Sequence, residues 1–350
     1  MKFGFKPSPN YRSEQSTTGI MADLTICLLA VLAFAAVWYG MSYGFAYGLR
    51  VVLMAVFSTA AALATEAVYF KIIGKSPKEV FHSYGWVTAI ILTLITKINV
   101  SYYAVIVATV IAVVFGKLVF GGFGQNVFNP AAFGEALIMN SFGSSTAADI
   151  VTGATPVTEM ASNGWMLSSS EMSTFLAKFG GLGGMLIGNY TSVIGASCAL
   201  LIIACGAFLI WREDIDWHTT AAYLVVVFVI SLIVGLAKGA GFTFALFNLL
   251  SGGVLFGAVF MLTDPVTSPI SIPGRVVFAV GAACLTLIIR WKANLPDGVL
   301  FSILLMNMLT PAIDKVFSGN QIKEAKKFTK YTAVISAICV VIALAVGFTL

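Results

Sequence analysis

The chain of 350 residues is 59% hydrophobic and 10% charged, with a mean hydropathy of +0.95, whereas a soluble domain carries about a quarter charged residues. This excludes a water-soluble enzyme and indicates an integral membrane protein that crosses several times. The net charge of +5 reflects sorting of basic residues across a bilayer and gives no reason to invoke nucleic acid.

Met1 to Asp23 is polar and basic without a small-residue cleavage site, so it reads as a cytoplasmic arm (1–20) rather than a signal peptide. Apolar runs bounded by breakers then predict ten segments, near 21–40, 47–70, 85–96, 100–120, 127–141, 182–211, 219–237, 243–262, 275–291 and 297–313. An eleventh follows at 331–349. The third, fifth and tenth are too short for a straight crossing and carry Gly, Pro or Asn. Lys71, Lys75, Lys78, Lys117, Arg212, Arg275 and the run Lys323 to Lys330 fall on the side of the N-terminus. Arg50, Lys97, Lys178, Lys238, Arg290 and Lys292 fall opposite. The positive-inside rule therefore places the N-terminus in the cytoplasm and the polar 142–181 loop outside.

Thr88 to Asn140 and Ala258 to Asn307 share an order of features. Each has an apolar run ending Leu-Thr (Leu92-Thr93, Leu262-Thr263), a polar break, a long helix, a second break and a short helix ending Met-Asn. Five segments per half make the halves enter from opposite sides. The expected fold is an all-α polytopic membrane protein, an inverted repeat of two five-helix halves (21–141 and 182–315) with broken helices. A basic linker (316–330) and one extra C-terminal helix (331–350) follow. Breaks at Gly121 to Pro130 and Thr263 to Pro269 leave backbone groups unpaired unless they lie in protein interior or beside a wet cavity. Asn126, Asn129, Thr263 and Asp264 could bond a ligand there or merely cap their own helices.

Glu66 and Glu135 lie within apolar runs, where a carboxylate costs roughly 2.5–3.5 kcal/mol and normally has a partner or a water path. Lys71 on the adjacent turn is the partner that spacing offers Glu66. Glycines 180, 181, 183, 184 and 188 read as close helix packing rather than a phosphate loop, having no following Lys. The five cysteines form no CxxC pair and read as packing residues; Cys198 and Cys205 could share a helix face. His82 and His218 show no metal-ligand spacing, and no metal site is expected.

In the polar loop, Thr152-Gly153-Ala154-Thr155 follows Asp149 by three residues. Two hydroxyls beside a small Gly-Ala pair let a bulky group approach, and a threonine alkoxide can accept a phosphoryl group there. This stretch resembles the flavinylation site of the NqrB/RnfD family, shared by the D-type member of Rnf complexes and the B-type member of sodium-pumping NADH:quinone reductases. Gly121-Gly122-Phe123-Gly124-Gln125-Asn126 with Asn129-Pro130-Ala131, Thr263-Asp264-Pro265-Val266, and Leu295-Pro296-Asp297-Gly298 running on to Asn307 look like further counterparts. The resemblance covers roughly residues 15 to 315. Leu94-Ile95-Thr96-Lys97 departs from it where a proline-containing stretch is expected, and the segment after Lys330 is additional.

The resemblance implies an electron carrier. Thr155 would hold FMN through a phosphoester, with Asp149, Thr152, Gly153 and Ala154 forming the motif read by a flavin transferase. Asn126, Asn129, Thr263 and Asp264 would line a site for a second, non-covalent flavin (riboflavin), and Glu66 would belong to a pathway for Na+ or H+. Its partners would be the other members of an Rnf complex, of types A, B, C, E and G. The alternatives are the B-type member of the sodium-pumping reductase and a urea-type channel, which also uses inverted five-helix repeats but has no use for the loop motif.

Overall fold

A computed structural model describes residues 15–142, 155–188, 190–196, 198–293, 298–319 and 323–350. The first half contains α1 (Thr17–Tyr43), α2 (Phe45–Ile72), α3 (Val80–Ser83), α4 (Gly85–Ile95), α5 (Tyr102–Val113, continued by a π-helical turn Val114–Leu118) and α6 (Pro130–Ser141). The loop region contributes α7 (Pro156–Ser162), α8 (Ser169–Ala177) and α9 (Gly181–Ile187). The second half contains α10 (Ala199–Trp211), α11 (Trp217–Ala237), α12 (Gly241–Leu250), α13 (Val254–Phe256, continued by a π turn Gly257–Met261), α14 (Ile272–Lys292) and α15 (Val299–Val316). The chain closes with α16 (Ala325–Phe348).

Helix starts follow local chemistry. Ser16, Ser101 and Ser271 cap α1, α5 and α14 through their hydroxyls, and Asn129 caps α6 just ahead of Pro130. Ser168 and Glu171 form a reciprocal capping box at α8. Among the described residues six helices, α1, α2, α11, α14, α15 and α16, are long and apolar enough to cross a membrane, and α12 with α13 and its π turn passes the same test as a pair bent by 56° at the break between them. The architecture is that of a multi-pass membrane protein.

Several segment boundaries differ from the sequence expectation. The segment read as 182–211 is two helices, α9 and α10, and between them residues 190–196 run back against α4: Ile194 N–H donates to Thr96 O at 3.0 Å, and a Cβ on Gly195 would lie 2.7 Å from Leu94 Cβ. The segment read as 243–262 breaks at Ser251, Gly252 and Gly253. The tenth, read as too short, reaches 18 residues in α15 despite Pro311. The glycines of 180–188 do not mediate close packing throughout: nothing lies within 4 Å of a Cβ built on Gly181 or Gly183, and Gly180, Gly181 and Gly188 take positive φ values at the ends of α9. Cys198 precedes α10, while Cys205 lies inside it and faces Cys27 of α1, so the two do not share a helix face.

Arg50 and Arg290, read as charges on the outer side, are buried in the bundle. Arg50 donates to Ile98 O and Val100 O at 2.7 Å each, just past the end of α4, and stacks over Tyr102. Arg290 donates to Asn248 O at 3.0 Å and Ser251 O at 3.3 Å at the end of α12. Both guanidinium groups thus satisfy carbonyls freed where a helix breaks. The added helix α16 packs on α14 and α11, with Gly347 against Val234 and Trp291. Lys292 and Lys238 donate to Thr349 O and Leu350 O at its end.

Arg212 pairs with Asp23 at 3.0 Å, bringing the end of α10 beside the start of α1. Tyr39 OH donates to Ser192 O, and Tyr43 bonds Thr191, at the opposite end of α1. These contacts define a near face, where α1 begins, and a far face, where it ends.

Candidate functional site

The break before α6 and the break before α14 converge at the near face around one partly open cavity. Its walls are largely apolar, with Met21, Leu24, Val87, Ile91, Leu209 and Phe260 among them. Its polar lining brings together all four residues singled out from the sequence: Asn126, Asn129, Thr263 and Asp264. Half of this wall comes from each half of the chain. Asn307 of α15 stitches them: with its amide oriented to suit its neighbours, its carbonyl accepts from Asn129 N–H at 3.0 Å and its NH2 donates to Ile303 O at 3.1 Å.

The four side chains also do local work. Asn129 Oδ1 accepts from Ala131 and Ala132 N–H, Asn126 Nδ2 donates to Phe128 O, and Thr263 Oγ1 donates to Val259 O. Asp264 accepts from Val266 N–H and Thr267 Oγ1, and bonds Asn126. The capping reading and the binding reading are therefore compatible. All four hold their own turns and also line the cavity. A mostly apolar slot with a few convergent hydrogen-bonding groups fits a flat heteroaromatic ring system.

Beside the mouth, Asp214 lines the cavity. Burial and the neighbouring Asp23 carboxylate push its carboxyl above the usual range, against the opposing pull of Arg212. Asp216 caps α11 and contacts His218 and Arg275; although burial acts the other way, these hydrogen bonds and charges hold it below the usual range.

Glu66 does not pair with Lys71. Its partner is Lys117 of the π turn in α5, at 2.8 Å, with both side chains buried. Ser83 completes the cluster: its hydroxyl donates to Glu66 Oε1 at 2.7 Å and its carbonyl accepts from Lys117. Glu66 Oε2 has no hydrogen-bond partner among the described residues. Lys117, counted in the sequence among the charges on the side of the N-terminus, lines the cavity. Its place between Phe115-Gly116 and Leu118-Val119-Phe120 was the missed signal, since a lysine inside an apolar run needs a partner. Glu135 likewise has one, accepting from Thr96 Oγ1 at 2.6 Å.

Away from this cluster, Thr155 is partly exposed and caps α7. Its Oγ1 accepts from Thr158 N–H at 3.2 Å and lies 2.8 Å from Thr158 Oγ1. The hydroxyl can thus be reached from solvent. Asp149, Thr152, Gly153 and Ala154 lie outside the described residues.

The NQR2, RnfD, RnfE family pattern matches residues 5–323. The chain belongs to this family. It is 33% identical to the D-type component of the Na(+)-translocating ferredoxin:NAD(+) oxidoreductase complex of Acetobacterium woodii, over 92% of this chain and 96% of that protein. Identity is 32% to the D-type component of the proton-translocating ferredoxin:NAD(+) oxidoreductase complex of Clostridium ljungdahlii, over 89% and 94%. It is also 32% to the D-type component of an ion-translocating oxidoreductase complex of Pseudomonas aeruginosa, over 88% and 92%. As a member of the NQR2, RnfD, RnfE family, the chain keeps the family pattern through α15, and α16 lies beyond it.

Proposed function

We propose that this protein is the D-type membrane component of an ion-translocating ferredoxin:NAD oxidoreductase, carrying electrons on flavins. The similarity to three D-type components across nearly the whole chain supports this. It ranks the reading above the B-type component of a sodium-pumping NADH:quinone reductase and above a urea-type channel. The A-, B-, C-, E- and G-type components of such a complex are its partners. The near face is cytoplasmic and the 142–181 loop extracytoplasmic, in the cell membrane.

Two flavins serve this function. FMN is esterified to Thr155 by a separate flavin transferase that reads the Asp149 to Thr155 stretch, and a non-covalent flavin occupies the cavity. The observation that carries the second assignment is the convergence of Asn126, Asn129, Thr263 and Asp264 on one largely apolar cavity. A bound flavin exchanges one or two electrons, while the chain's residues position it and set its surroundings. The apolar walls exclude water, and the amides and Asp264 fix orientation. Glu66 takes part in movement of Na+ or H+; its buried, half-satisfied carboxylate supports that role. One relative is named for protons and the other for sodium, at near-equal identity.

The test separates the two flavins. Wild-type protein should show in-gel flavin fluorescence after SDS, and Thr155→Val should lose it while still inserting. Acid extraction of native Thr155→Val protein should still release a flavin. Retained fluorescence in that variant would reject Thr155, and a flavin-free extract would leave the cavity residues as capping groups alone. Glu66→Gln should slow electron transfer in the assembled complex and abolish its dependence on the coupling ion at normal levels of every component.

A further inference from the structure

Of the cavity's described lining residues, Lys117 alone is a cation. The π turn Val114–Leu118 widens α5 at this point and redirects the lysine inward. An ammonium has three N–H donors. Two are used, on Glu66 Oε1 and on Ser83 O, and Nζ lies 5.7 Å from the centre of the Phe123 ring at the cavity wall. On the opposite side, Glu66 is fully buried and only its Oε1 is engaged. A buried ion pair is often no more stable than a well-packed apolar pair of similar volume. Its position at a cavity therefore calls for an explanation beyond holding α2 to α5.

We propose that Lys117 is the charge-matching residue of the cavity, its ammonium stabilising the negative charge that a bound flavin gains on reduction, with Glu66 as the counter-charge. This rests on the flavin reading of the cavity. Two-electron reduction adds two electrons and one proton, leaving an anionic ring system with one net negative charge. In the complex a reduced iron–sulfur protein supplies the electrons and water the proton; in the test below dithionite replaces the protein. An ammonium at the wall favours that anion over the neutral oxidised ring. Glu66 limits the effect, since its carboxylate cancels part of the positive potential that reaches the cavity. Lys117 and Glu66 thus pull in opposite directions on one quantity, the ratio of affinities for reduced and oxidised flavin. That is a signature a packing role would not produce.

The experiment is a spectroelectrochemical titration of the non-covalent flavin in purified full-length protein carrying Thr155→Val, which removes the covalent signal. Lys117→Met should weaken binding of the reduced form roughly tenfold to hundredfold relative to the oxidised, a shift of about 30–60 mV to lower potential at ~30 mV per decade for two electrons. Glu66→Gln, which frees the ammonium, should shift the potential upward. Lys117→Met leaves a buried carboxylate unpaired and can fail to fold. The double variant Glu66→Gln/Lys117→Met carries neither charge, and it should titrate below Glu66→Gln alone. Equal potentials in Glu66→Gln and the double variant, with flavin present, would overturn the assignment of Lys117 while leaving the cavity reading intact. A Thr155→Val protein without extractable flavin would overturn both.

Discussion

Replacing Gly85 by Ala tests the buried pair through sterics alone. A Cβ at this position would fall 2.5 Å from Glu66 Oε2, 2.6 Å from Cδ and 2.8 Å from Oε1. The carboxylate could normally swing aside, but Ser83 and Lys117 hold it at 2.7 and 2.8 Å. Relief requires breaking one of these charge-assisted bonds, at about 1.5–3 kcal/mol, with overpacking of ~1–3 kcal/mol as the alternative route. Against this, Ala is intrinsically better than Gly inside a helix by roughly 0.5–1 kcal/mol. The net expectation is a loss of about 1–2 kcal/mol, measured by SDS-driven unfolding in mixed micelles. In a background carrying Glu66→Ala and Lys117→Met the obstruction is gone, and Gly85→Ala should become neutral or slightly stabilising. An equal cost in both backgrounds would refute the steric argument and place the role of Gly85 in the backbone.

Arg290→Met should destabilise the protein by about 1–3 kcal/mol for each carbonyl left orphaned at Asn248 and Ser251. Arg290→Lys should not recover the loss, since an ammonium cannot reproduce the fork; unfolding midpoints check both. Asp216 is held below the usual carboxylate range, so its contribution is complete above the unfolded value, near pH 4, and is lost as pH falls through the lower folded value. Midpoints recorded from about pH 6 down to about pH 2.5 should therefore fall more steeply in wild type than in Asp216→Asn. Asp264→Asn keeps the turn but replaces a carboxyl acceptor of the cavity by an amide, and flavin retained after gel filtration should drop, by roughly tenfold in affinity.

Helix content and the two near-face breaks were legible because apolar runs and Gly/Pro/Asn clusters act locally. The convergence of Asn126 with Asp264 was also foreseeable, since a broken helix must find interior or water for its polar groups. The missed features depend on distant residues. The fold-back of 190–196 is fixed by the end of α4, about a hundred positions earlier. Lys117 sits 51 residues from Glu66, and spacing along one helix favoured Lys71 instead. Positive-inside counting treated Lys117, Arg50 and Arg290 as surface charges, although burial removes them from that balance. The partner of α16 was unreadable because its apolar stretch after Tyr331 marks no one face for packing; small Gly347 against Trp291 and Val234 decides it.

The two buried arginines also bear on how the chain enters the bilayer. Arg290 is made after its acceptors Asn248 and Ser251, so it can dock as soon as it emerges from the ribosome. Arg50 is made about 48 residues before Ile98. During that interval its guanidinium has no native acceptor, and it must stay at the lipid–water boundary or against translocation machinery. Biogenesis of the first half is therefore the more fragile step, and truncated nascent chains ending before Val100 should leave α2 incompletely inserted, whereas those long enough to carry Arg290 clear of the ribosome should already hold α12 in place.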